Sequence, residues 1–145
     1  MSRAVAVLLF VSSLLLGAGA NDPNEAWSHY DTFALKKDQV QHVRIDANEK
    51  SHRLAFRWTL YKNGGLVMHV DYDGHRFQPL LYTGYKRNAF RIDLFSRPND
   101  ATPMQLETPF ALLIFTAFDP RKREAHIDMK IRSDEASEVF YVKGK

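Results

Sequence analysis

The chain has 145 residues, with 20 Lys and Arg against 17 Asp and Glu, 6 His and no Cys. A formal charge of +3, spread thinly, supplies no face broad enough to hold nucleic acid. The absence of Cys excludes a disulfide scaffold, a thiolate metal site, a cysteine nucleophile, c-type haem attachment and a lipid-modified Cys.

Residues 1–20 have the layout of a secretory signal peptide. Arg3 is the cationic start, residues 4–16 are apolar apart from Ser12 and Ser13, and Gly17-Ala18-Gly19-Ala20 offers small residues for cleavage. The apolar run is shorter than the roughly 20 residues a membrane-spanning helix needs. The mature chain is expected to start at Asn21 and to be exported. With no Asn-x-Ser/Thr sequon and no Cys, a bacterial periplasm fits better than a eukaryotic secretory route.

Residues 21–31 are polar, contain Pro23, and read as a loose N-terminal segment. Residues 32–145 read as a single all-β domain of short alternating runs at 32–37, 40–46, 51–61, 66–72, 75–82, 87–95, 108–118, 124–132 and 139–142. Turn residues separate them at Gly84-Tyr85, at 97–100 and at 134–136.

In 51–61, Leu54, Phe56, Trp58 and Leu60 share one face, opposite Arg53, Arg57 and Thr59. In 66–72, Leu66, Met68, Val70 and Tyr72 oppose His69 and Asp71. A two-residue Asn63-Gly64 turn would set Trp58 against His69, exchanging oil for water. A three-residue loop, Asn63-Gly64-Gly65, keeps the faces in phase, so the pattern predicts Trp58 opposite Val70, Leu60 opposite Met68 and Arg57 opposite Asp71.

Asp73-Gly74 is a two-residue hairpin turn that pairs Tyr72 with His75, Val70 with Phe77 and Asp71 with Arg76. Asp71 is then expected between Arg57 and Arg76, and His69 between Thr59 and Gln78. Pro79 lacks an amide hydrogen and should interrupt the ladder.

Run 108–118 is apolar on both sides, with Phe110, Leu112, Ile114 and Phe118 facing one way and Ala111, Leu113, Phe115 and Ala117 the other. A turn at Asp119-Pro120-Arg121-Lys122 predicts Ile114 opposite Ile127 and Phe115 opposite His126. These patterns together specify an antiparallel β-sandwich of about seven to nine strands, with a closed β-barrel as the alternative.

Chemistry-bearing groups are sparse. His69-Val70-Asp71 and His126-Ile127-Asp128 each set an imidazole and a carboxylate on one strand face, a donor pair suited to a divalent metal. His126, Asp128 and His69 are thus the candidate ligands. Adjacent Ser51 and His52 point to opposite sides of a strand, and no Ser stands in a nucleophile elbow, so a small hydrolase is a third-ranked alternative. Met68 and Met129 alternate with core residues, which favours space filling over haem ligation.

Basic turns at 85–88 and 121–123 suit weak contact with an anionic membrane surface or an acidic glycan, although charged tips also protect hairpins from aggregation. Apolar residues recur on nominally outward faces: Val67, Leu80, Tyr82, Phe95, Leu113 and Phe115. Either a second sheet covers them or they form a contact surface. The candidate contact residues are Phe95, Leu113, Phe115, Tyr82 and Tyr85. The function expected is an exported, non-enzymatic binding module without a cofactor, meeting a protein, a second copy of itself or an apolar small ligand; a periplasmic metal-binding protein is the alternative.

Overall fold

Alternation of apolar and polar side chains resolves into extended strands in this computed structural model, which describes residues 27–47, 49–83, 86–95, 109–133 and 137–142. Residues 1–20, expected to be a leader, Tyr85 and the turns expected at 97–100 and 134–136 lie outside the described residues. The strands are β1 (His29–Lys36), β2 (Gln41–Ala47), β3 (Lys50–Lys62), β4 (Gly65–Tyr72), β5 (His75–Phe77), β6 (Leu80–Tyr82), β7 (Ala89–Asp93), β8 (Phe110–Asp119), β9 (Glu124–Arg132) and β10 (Ser137–Val142).

They form two antiparallel sheets, the architecture of a β-sandwich. The smaller has the order β1-β9-β8-β7; the larger runs β10-β2-β3-β4-β5, with β6 also on β4. The ladders stay separate, so the barrel alternative is not adopted. Each sheet turns one face inward. Leu54, Phe56, Trp58, Met68 and Val70 meet Leu113, Phe115, Ile127, Met129 and Ile131 in one core. Fully burying a side chain of this size contributes about 1.5–3 kcal/mol, the main favourable contribution to this fold. Trp58 also donates its indole N–H to the Leu35 carbonyl at 2.7 Å, tying β3 to β1 of the other sheet.

The β3–β4 connection departs from expectation. Lys62 pairs with Gly65 across Asn63 (φ 52°) and Gly64 (φ 77°), a two-residue turn with both central residues left-handed. The extra residue that keeps the faces in phase sits inside β3 instead: the register shifts between Trp58 and Leu60, leaving Thr59 as a bulge. Phe56 therefore faces Val70, Trp58 faces Met68 and Arg57 faces His69. Past the bulge Leu60 pairs with Val67, which turns Leu60 away from the core it was expected to join. Gly65 is buried under Tyr82, whose ring carbon would lie 2.8 Å from an added Cβ.

Asp73 (φ 49°) and Gly74 (φ 87°) form the second tight turn, with Asp71 opposite Arg76 and Val70 opposite Phe77 as expected. Pro79 splits the expected run 75–82 into β5 and β6, and both remain on β4. Between them the Pro79 carbonyl still accepts the Met68 N–H at 3.0 Å.

A second bulge, at Thr116, and a longer turn that pairs Asp119 with Glu124 correct the β8–β9 register. Phe115 faces Ile127 and Leu113 faces Met129, while Ile114 faces Asp128. The inward side of β8 is thus the one carrying Ala111, Leu113 and Phe115. On edge strand β1, His29 and Asp31 oppose buried Ile131 and Met129 and so point toward the interior side. Inward polar groups of this kind discourage edge-to-edge pairing. Burial lowers the His29 pKa, with the Asp31 carboxylate opposing that shift.

Candidate interaction face

The bulge at Thr59 determines what the larger sheet shows to solvent. Since Met68 and Val70 are buried, Val67, His69 and Asp71 of β4 point outward, and their cross-strand neighbours point with them. Three rows cross the face. Leu60, Val67 and Leu80 form one, Arg57 and His69 the next, and Ala55, Asp71 and Arg76 the third.

The first row is apolar and open: Leu60 is 52% exposed, Leu80 48%, and Val67 between them is half-buried. Scattered surface leucines need no explanation, whereas three adjacent apolar side chains across three strands form a patch. The third row contains a dip. Ala55 is too short to fill its place, leaving an open depression of about 340 Å³ bordered by Arg57, His69, Asp71 and Arg76.

Charges around the depression are paired loosely. Arg57 Nη1 lies 3.4 Å from Asp38 and Arg76 Nε lies 3.6 Å from Asp71. Exposed pairs of this length contribute roughly 0–1 kcal/mol, so these guanidinium groups are available for exchange. The expected placement of Asp71 between two arginines is corrected: the bulge moves Arg57 opposite His69, and only Arg76 reaches Asp71. Asp71 also accepts the Gly74 N–H at 2.9 Å. His69 Nε2 sits 3.1 Å from the Thr59 hydroxyl, so the bulged residue tethers the imidazole.

The other candidate residues fall elsewhere. Leu113 and Phe115 are fully buried, so they are core and not contact residues. Phe95 and Tyr82 are half-buried; Phe95 packs on the core and Tyr82 covers Gly65. His126 and Asp128 lie on the outer face of the smaller sheet, opposite in sense to buried Ala125, Ile127 and Met129. His69 lies on the outer face of the larger sheet, so the sandwich separates it from His126 and Asp128 and the three cannot share one ion. Asp128 instead accepts the Tyr30 hydroxyl at 3.1 Å and the Thr32 hydroxyl at 3.0 Å. Among the described residues, no group of three or more His, Asp or Glu converges as a metal site.

One histidine–carboxylate pair is built at the rim of the core. His52 Nδ1 lies 2.6 Å from Asp73 Oδ2, with the His52 side chain only 16% exposed. Asp73 Oδ1 accepts the Arg53 N–H at 2.7 Å, which fixes the carboxylate. The imidazole stacks on Tyr72 and meets the Phe95 ring at 4.8 Å. Phe95 carries φ 61°, an outlier for an aromatic residue, and its N–H donates to the Tyr72 hydroxyl at 3.1 Å. The Tyr72 pKa is pushed up to about 12 by burial, with the Phe95 N–H opposing that shift and the Asp73 charge adding to it.

A carboxylate-oriented imidazole is half of a general-base arrangement. Ser51 does not complete it, because its hydroxyl faces the other way and donates to Asp46 at 2.5 Å. In this setting the pair acts as a clamp joining the β4–β5 turn to β3. Comparisons with family models, curated proteins and solved structures returned no match.

Proposed function

We propose that the protein is an exported, non-catalytic interaction module that contacts a protein partner through the outer face of its larger sheet. The observation that carries this is the exposed row Leu60, Val67 and Leu80, which the Thr59 bulge completes by turning Leu60 out of the core. Apolar side chains set beside exchangeable charges on one face match the mixed apolar and polar composition of a protein contact. The layout of residues 1–20 supports export. Contact of this kind needs no cofactor.

The test is a photo-cross-linking amino acid placed at Leu80, with a control probe at Lys122 on the β8–β9 turn. A discrete protein adduct from position 80 is expected, competed by added unlabelled protein and lost when Leu60→Asp is added to the probe-carrying chain. Equal labelling from both positions, or an adduct indifferent to Leu60→Asp, would refute the assignment of the face. Because Leu60 is a surface residue, Leu60→Asp should melt within about 3 °C of the parent.

A further inference from the structure

We propose that the partner of this face is a second copy of the chain, docked about a two-fold axis that runs along β4. The inference rests on the reading of the face as a contact surface and names what it contacts. Its origin is the symmetry of the rows about β4.

A two-fold interface requires that residue i meet residue j while j meets i. Leu60 on β3 and Leu80 on β6 flank Val67 on opposite sides, each directly across a strand pair. An axis along β4 therefore sets Leu60 over Leu80 of the second copy, Leu80 over its Leu60, and Val67 over its own image. The two three-residue rows merge into one six-residue apolar cluster.

The same operation acts on the third row. Ala55 and Arg76 flank Asp71 in the same way, so Arg76 of one copy lies over Ala55 of the other. Arg76 is 89% exposed and Ala55 floors the depression of about 340 Å³, so a projecting side chain meets a hollow on each side of the axis. The two Asp71 carboxylates approach near the axis, each with Arg76 guanidinium groups on both flanks. Arg76 of the second copy thereby supplies the second guanidinium that the register of β3 on β4 withholds from Asp71.

The size of the face sets the strength. Strands β2, β3, β4 and the β5/β6 pair, about 4.8 Å apart and roughly eight residues long, present on the order of 500 Å² of sheet per copy. The total of about 1,000 Å² is the lower end of specific interfaces, so the dimer should form weakly, at tens of micromolar or above.

The experiment is sedimentation equilibrium of the purified exported protein from about 5 µM to 1 mM, with Val67→Arg as the variant. A mass rising toward twice that of the monomer is expected, with Val67→Arg monomeric throughout and its melting temperature preserved. Register is read separately with a short bismaleimide, clean here because the chain has no native Cys. Val67→Cys should cross-link to itself, and a mixture of Leu60→Cys with Leu80→Cys should cross-link better than either alone. A monomeric mass up to 1 mM, or a dimer that survives Val67→Arg, overturns the proposal. If the protein is monomeric while the Leu80 photoprobe still gives its competed adduct, self-pairing fails and the contact face stands; if both fail, so does the face.

Discussion

Replacing Phe115 by Ser distinguishes a core position from a contact position. Phe115 is fully buried, faces Ile127 across β8–β9 and meets Tyr61 edge-on with ring centroids 6.1 Å apart. Truncating a buried Phe removes its transfer free energy and leaves a cavity, together about 3–5 kcal/mol. Burying an unpartnered hydroxyl in the remaining space adds about 1–3 kcal/mol. A loss near 5 kcal/mol is a large part of the roughly 5–15 kcal/mol that holds a domain together. It should lower the melting temperature by about 15–30 °C, or leave the variant unfolded at room temperature. Leu80→Ser, at a half-exposed site on the outer face, should stay within about 0.5 kcal/mol of the parent. Urea unfolding followed by tryptophan fluorescence measures both. A Phe115→Ser protein as stable as Leu80→Ser would refute the assignment of β8's inner face, and with it the second bulge.

Three further outcomes follow from single contacts. Trp58→Phe keeps the ring but removes the N–H that reaches the Leu35 carbonyl, and should lower stability by about 1–3 kcal/mol in the same unfolding assay. Tyr72, with its folded pKa raised to about 12, holds its proton more tightly in the folded state than in the unfolded chain; its stabilisation is complete below pH 10 and is lost as pH rises toward 12. Circular dichroism across that range should show the decline in the parent and a shallower one in Tyr72→Phe. His29 has a lowered pKa, so its contribution is complete above 6.5 and falls as acid protonates the unfolded chain first. His29→Gln should flatten the melting temperature profile below that pH.

Much of the sandwich is written in local alternation. Residues 54–58 and 66–72 declare their buried faces, and Asp73-Gly74 declares its turn, because each rests on neighbours in the chain. The Thr59 bulge is different. An extra residue in the loop or within the strand restores the same face parity, so burial of Trp58 and Met68 constrains that a residue is inserted and not where. Thr59 has no Gly or Pro to mark it. The change of face falls on one residue, Leu60, which alternation alone places in the core. Run 110–118 was undecidable for a related reason: with apolar residues on both sides, periodicity cannot say which side faces the second sheet, and a one-residue shift at the β8–β9 turn exchanges them. The His52–Asp73 clamp was illegible because it joins the start of β3 to the tip of the next hairpin, 21 residues away. Only the folded register brings those groups within reach.

The outward turn of Leu60 is tested most directly by methyl-resolved nuclear magnetic resonance with a soluble paramagnetic reagent. In the Val67→Arg variant, kept monomeric, the Leu60 and Leu80 methyls should broaden strongly, while Met68 and Leu113 stay sharp. Leu60 methyls in contact with Trp58 and Met68, shielded from the reagent, would place that leucine back inside the sandwich and dismantle both the bulge and the surface built on it.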